Sequence, residues 1–152
     1  MITASVELIR DILPELKPLL AKHYDALSLH KDHSFPLDPQ FNIYLSREAA
    51  GEVSFIALRR DGILIGYWVC FVSPALHYQT CLTSIMDIWF VDPEYMIGKA
   101  PVILALAVEK EMRRRGVNLW FAGEKLHKPC GKFFEKLGFE KVEATYAKWL
   151  VT

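Results

Sequence analysis

One acidic residue stands in a stretch that otherwise reads as protein interior: Asp87, between Met86 and Ile88 in the apolar run Cys81–Val91. Facing a cleft, such a carboxylate can orient a substrate amine or accept its proton, with a pKa raised by burial. Facing a neighbouring element, it must find hydrogen-bond donors or bear a desolvation cost. Plain solvent exposure is the third reading. Directly downstream lies Val91-Asp-Pro-Glu-Tyr-Met-Ile-Gly-Lys-Ala-Pro101, and then a helical pattern. A strand, a tight turn and a helix N-terminus in that order can present backbone N–H groups to an anion. With one glycine, Gly98, the turn Tyr95–Pro101 also reads as a simple connector. The chain lacks the glycines and Lys-Ser or Lys-Thr of a nucleotide triphosphatase loop, and the three-glycine dinucleotide fingerprint.

The histidines suggest no metal. His23, His30, His33, His77 and His127 form no His-x-x-x-His pair on a helix, and only Asp32 accompanies His30 and His33 in their loop. His127 and Cys130 share a predicted helix, three residues apart, but lack the third residue that orients a nucleophilic pair. Cys70, Cys81 and Cys130 have no metal-ligand spacing and cannot all pair within one chain. Free thiols in a reducing compartment follow.

The elements that must carry these residues are legible from periodicity and punctuation. Residues 2–6 suit a short strand. Ile12, Leu16, Leu19, Leu20 and Leu27 recur at helical spacing, while Pro14 and Pro18 predict a helix that starts near Leu13 or is interrupted. His30–Pro39 is a loop, and 41–50 a second helix stopped at Gly51. Val53–Arg60 and Ile63–Ser73 read as strands joined by the hairpin signal Asp61-Gly62. A loop, Pro74–Gln79, holds His77 and Tyr78. The apolar character of Cys81–Val91 predicts a central strand with both faces covered. Val102–Arg115 is a helix closed by Gly116, with Arg113, Arg114 and Arg115 matching its negative dipole end. Val117–Ala122 is a strand, His127–Leu137 a helix, and Phe139–Leu150 a last strand or hairpin turning near Glu143-Ala144. Such mixed elements imply an α/β or α+β layer fold.

Composition narrows the function classes. The 152 residues suit one domain spanning 1–152; 52% are apolar, and 18 Lys plus Arg balance 18 Asp plus Glu. That argues against disorder and against a nucleic-acid-binding surface. No stretch approaches the roughly 18 apolar residues of a membrane span. Nor does the N-terminus show a secretion signal, so a cytoplasmic location and no membrane partner are expected.

Phe90-Val-Asp-Pro-Glu-Tyr95, a Gly-containing turn and a long helix ending in Arg-Arg-Gly116 resemble the acyl-CoA-binding core of the GCN5-related N-acetyltransferases. Phe133-Phe-Glu-Lys-Leu-Gly-Phe139 is similar to that family's last helix running into its sixth strand. The pair His77-Tyr78 and the closing Tyr146-Ala-Lys148 are similar to small acetyltransferases of bacteria and their phages. The resemblance spans essentially the whole chain. It implies a mixed, largely antiparallel sheet of six or seven strands flanked by about four helices and splayed between strands four and five. It implies transfer of an acetyl group from acetyl-CoA to an amine. Backbone groups of Trp89, Phe90 and Val91 would bond the pantetheine arm, and the turn Met96, Ile97, Gly98, Lys99, Ala100 and Pro101 would hold the pyrophosphate. Cys130 and Phe134 fall at further cofactor-side positions.

The chain departs from the pattern twice. Where the family's turn usually reads Arg or Gln, two residues, Gly, one residue, then Gly or Ala, the register from Tyr95 puts Met96, Lys99 and Pro101 at those positions. Shifted by one, Gly98 and Ala100 match but Tyr95 replaces the Arg or Gln. Where many members have Asn, Ala and a general-acid Tyr, this chain has His127, Cys130 and Phe134. Tyr78, Tyr146, His127 or water would then serve the leaving thiolate, or it leaves unassisted. The resemblance implies Asp87 as the residue that orients or deprotonates the amine, with Tyr78 and His127 as further catalytic candidates. Phe35, Tyr44, His77 and Tyr78 are expected to line the acceptor site. Expected acceptors are a small-molecule amine (a polyamine or aminoglycoside, for example) or a protein lysine or N-terminal amine; homodimerisation is left open. The competing reading is a coenzyme-A-fold binding or interaction module without transfer activity.

Overall fold

The computed structural model describes residues 1–28 and 35–150. His30, Asp32 and His33 therefore lie outside the described residues. Met1–Phe121 form one compact unit and Ala122–Thr152 a second.

The first unit is built on a hairpin. Strands β2 (Val53–Arg60) and β3 (Ile63–Pro74) are joined by Asp61 and Gly62, both at positive φ, 50° and 86°. That pair of conformations matches the twist of the flanking strands. Strand β1 (Ile2–Val6) pairs antiparallel with β2, and the Met1 amine bonds the Asp61 carboxylate. Strand β4 (Leu82–Val91) pairs antiparallel with β3, and β5 (Leu119–Phe121) pairs parallel with β4. The order is β1-β2-β3-β4-β5.

Five strands thus stand among the described residues, not the six or seven expected. Residues 139–150 form no strand: all but Phe139 are exposed, and none joins a ladder. A strand exists by virtue of its partner, so favourable residue types alone do not make one. Strand β4 is an interior strand with a neighbour on each side, as its apolar character suggested, but it is not the middle one. The middle strand is β3, buried from Leu64 through Cys70, while β4 lies next to the edge strand.

Helices cover both faces. Helix α1 (Ile9–Leu27) runs without a break through Pro14 and Pro18, correcting the expected interruption. Both prolines are exposed and sit four residues apart, on one side of the helix. The carbonyls they leave without an intrahelical partner therefore face water. The opposite stripe, Ile9, Ile12, Leu16 and Leu19, packs with Phe55, Ala57, Tyr67, Val69 and Phe90. At about 1.5–3 kcal/mol for each fully buried large side chain, that stripe outweighs the prolines. The other parity of the strands, with Ile56, Leu58, Trp68 and Cys70 buried, faces α3 (Ala100–Arg114). Ala100, Leu104, Ala105, Val108 and Met112 are α3's buried stripe.

Helix α2 (Phe41–Ala49) is held differently, for it has no fully buried residue. Its Glu48 carboxylate accepts the N–H of Ile9 at 2.6 Å and that of Arg10 at 3.4 Å. A negative charge at the first turn of α1 is favourable, and it ties the two helices together.

The second unit holds helix α4 (Gly131–Lys136), which begins four residues later than the expected His127. The Glu124 carboxylate accepts the N–H groups of Cys130, at 2.7 Å, and Gly131, at 2.5 Å. A carboxylate engaging those two amides starts the helix there. Phe134 packs on Phe139 with ring centroids 5.6 Å apart, and Gly138 at φ 91° ends the helix.

Candidate active site on strand β4

Pairing between β3 and β4 slips once. Val69 lies opposite Ile88 and Cys70 opposite Met86, leaving Asp87 as the extra residue of a β-bulge. A bulge re-aims one side chain and changes which backbone groups face each neighbour. Leu82 accepts the Asn118 N–H on the β5 side, at 2.8 Å, whereas the Asp92 N–H donates to Ile65 on the β3 side, at 2.8 Å. Leu82 and Asp92 are an even number of residues apart and would face one way in a regular strand. The bulge reverses that parity, turning the backbone groups of Trp89 and Val91 toward the β5 side and those of Phe90 toward β3.

On the β5 side there is nothing from that strand to meet them. The ladder ends at Ile85↔Phe121, so β4 from Met86 to Val91 runs past the end of its neighbour. Gly66, opposite Val91, keeps β3 close here: a Cβ on it would sit 2.6 Å from the Phe90 carbonyl oxygen.

The Asp87 side chain turns to the α2 face. Tyr44 donates its hydroxyl to Asp87 Oδ2 at 2.5 Å. Burial pushes the Asp87 carboxyl above its ordinary pKa, while the Tyr44 hydrogen bond and the Arg47 charge pull it back. Burial, and then the hydrogen bond and charge of Asp87, raise the Tyr44 phenol. Phe71 supports both α2 residues, stacking on Tyr44 at 5.7 Å between centroids and lying under the Arg47 guanidinium at 4.9 Å. Tyr67, whose phenol burial also raises, meets His23 Nδ1 at 2.5 Å, and His23 stacks on Phe90 at 4.7 Å. On the opposite face, burial pushes the Cys70 thiol up to about 11. A thiol so held is protonated and no nucleophile at neutral pH.

Beyond Val91, Asp92 closes a single 3₁₀ turn, Pro93–Tyr95, by accepting the Glu94 N–H at 3.1 Å. Met96, Ile97, Gly98 and Lys99 follow, all exposed, with Gly98 at φ 67°. Lys99 caps α3 without a side-chain hydrogen bond, and no acidic residue stands in the first turn. Ala100 is buried, and Pro101 sits in that turn as its missing N–H allows.

The structure therefore joins Asp87, Tyr44 and the strand segment Trp89–Val91 through one bulged strand leading to the α3 turn. Tyr78 and His77 are exposed in the loop before β4. Tyr78 N–H bonds Ala75, and its carbonyl takes the Cys81 N–H, at 3.4 and 2.9 Å. Phe35 is exposed. His127, Cys130 and Phe134 belong to the second unit: His127 precedes α4, Cys130 caps it and Phe134 lies within it. No group of three or more His, Cys, Asp or Glu among the described residues could hold a metal ion. Arg47 and Phe71 were not singled out from sequence. The available signal was the spacing of Tyr44 and Arg47, three apart and hence on one face of a predicted helix.

No family model and no curated protein matches this chain. Solved structures do. An acetyltransferase of Trypanosoma brucei superposes with a TM-score of 0.73 at 18% identity, covering 99% of this chain and 100% of that one. Ribosomal-protein-alanine N-acetyltransferase from Brucella melitensis gives 0.76 at 16%, covering 100% and 99%. AAC(6')-Iy, solved with the bisubstrate analogue CoA-S-monomethyl-acetylneamine, gives 0.73 at 15%, covering 100% and 99%. With these neighbours, and with β4 outrunning β5 beside a bulged acid, the chain has the fold of the GCN5-related N-acetyltransferases.

Proposed function

We propose that the chain is an N-acetyltransferase, one acyltransferase domain that moves an acetyl group from acetyl-CoA directly to a primary amine. The observation that carries this reading is the bulge at Asp87. It places a carboxylate of raised basicity beside a strand edge that lacks a partner from β5 and leads into a helix N-terminus with no capping side chain. Acetyl-CoA fits those features: an extended pantetheine can bond the backbone groups of Trp89 and Val91, and a pyrophosphate suits the amides from Ile97 to Ala100 with Lys99 adding charge. Phe90 contributes its ring to the core. The donor supplies an activated acyl carbonyl and a thiol leaving group that is tolerable near neutral pH.

The residues then divide the work. Asp87 orients the acceptor amine and takes a proton from its nitrogen as the C–N bond forms and the C–S bond breaks. A strand N–H near Trp89 stabilises charge on the carbonyl oxygen. Tyr78 or water returns a proton to sulfur. The acceptor is a small-molecule amine or a protein lysine or N-terminal amine, and cytoplasm is the expected setting. Phe134, where the resemblance implies a tyrosine acid, favours as second reading a coenzyme-A-binding module without transfer.

Native mass spectrometry with acetyl-CoA tests both readings: a complex is expected, and no binding overturns each. Thiol release over an amine panel then divides them, with release expected for at least one amine.

A further inference from the structure

Helix α2 lacks a buried stripe, yet it delivers the Tyr44 hydroxyl to the bulge carboxylate in a part-buried hydrogen bond. The bond spans 43 residues of sequence, so tertiary placement alone creates it. Among the described residues Oδ1 of Asp87 accepts no hydrogen bond, while Oδ2 is taken. The geometry points to Tyr44 as the positioning residue of the transfer reaction: by occupying Oδ2 it fixes the plane of the Asp87 carboxylate and reserves Oδ1 for the acceptor amine.

The inference rests on the reading of Asp87 as the base. Its physical basis is independent of the donor. A carboxylate on a bulge, half-buried, has two χ angles to fix and, among the described residues, one direct donor to fix them. Tyr44 cannot itself swing freely, because its ring stacks on Phe71 and its helix is tied to α1 through Glu48. The donor is neutral and stays protonated, since burial and the carboxylate both raise the phenol. It can therefore hold the carboxylate through the reaction without competing for the proton. Among the described residues the other charged or titratable groups around Asp87 are Arg47 on α2, and Tyr67 and Cys70 on β3. Of these only Arg47 carries a charge at neutral pH, and it forms no ion pair with Asp87.

A role in holding α2 in place and a role in positioning Asp87 differ in one readout, the protonation of Asp87. The carboxyl ¹³C resonance of Asp87, assigned by its loss in Asp87→Asn, is titrated in wild-type protein, in Tyr44→Phe, and with 3-fluorotyrosine placed at position 44. Tyr44→Phe keeps the ring and removes the donor; the fluorinated residue keeps both and strengthens the donor, so it preserves the fold if Tyr44→Phe does not. The expected midpoints rise in the order fluorotyrosine, tyrosine, phenylalanine, with Tyr44→Phe about one pH unit above wild type. The acidic limb of kcat/KM should move with it, kcat should fall on the order of tenfold, and acetyl-CoA affinity should hold. Midpoints that do not follow the donor overturn the assignment, whatever happens to melting temperature. Wild-type protein that shows the ordered midpoints but releases no thiol with any amine overturns the acetyltransferase reading instead, and with it any role of Tyr44 in transfer.

Discussion

Asp87 and Asp92 stand at either end of the last stretch of β4, both withdrawn from water, and they are treated in opposite ways. Asp92 is 5% exposed, and both of its oxygens are engaged. Lys22 Nζ lies 2.6 Å from Oδ2 and the Glu94 N–H bonds Oδ1 at 3.1 Å. Its own N–H and carbonyl are bound too, to Ile65 and Tyr95. Among the described residues Asp87 has one neutral donor, one oxygen that accepts no hydrogen bond and a nearby cation that does not pair with it. Burial is therefore common to both, and the partner set separates them. A saturated carboxylate organises a turn; an unsaturated one keeps a lone pair for chemistry, at some cost in stability.

The sharpest way to break that contrast is to neutralise each acid. Asp87→Asn should lower thiol release at least about 100-fold while acetyl-CoA affinity, read by native mass spectrometry, stays within a fewfold. Equal loss of both would remove Asp87 from the acceptor side. Gly66→Ala acts on both aspartates at once, because its Cβ would press on the Phe90 carbonyl between them. Urea unfolding should show about 2–4 kcal/mol lost, among the larger effects of a single substitution. Asp92→Ala should cost about 1–3 kcal/mol by the same measure, with transfer per folded molecule nearly unchanged.

Stability against pH sharpens the contrast further. Asp87 is protonated more readily in the folded chain than in the unfolded one, since burial raises its pKa above 3.8. Its contribution to stability is thus full below that ordinary value and is lost as pH rises through the folded pKa. Asp87→Asn should accordingly melt higher than wild type at neutral pH, and the difference should close on acidification. A difference that persists unchanged in acid would remove the buried charge as its cause. The smallest effect belongs to Lys22→Met. Its side chain is 52% exposed and its charge is screened by solvent, so the loss in urea unfolding should be smaller than for Asp92→Ala.

Much of this was legible in the chain itself. Asp87 stands out because an acid amid apolar residues must be explained, and Asp61-Gly62 because two positive φ angles suit few other pairs. The stops at Gly51, Gly116 and Gly138, all with positive φ, are equally local. Other features depended on partners. That Pro14 and Pro18 share a solvent face of α1 follows only once the buried stripe is known to be strong enough to hold the helix. The absent last strand turned on whether residues 139–150 find a ladder, which their types do not decide.

By itself, then, the sequence determined the order of elements as far as α4, their turns and the one acid worth asking about, because φ, ψ and side-chain period are set within a few residues. The tertiary structure alone decided that this acid sits on a bulge, that β5 ends at Phe121 and leaves Trp89–Val91 beyond it, and that Tyr44 reaches Asp87. Each of these is a property of two segments meeting. Register and reach across dozens of residues arise from packing, which no local pattern encodes.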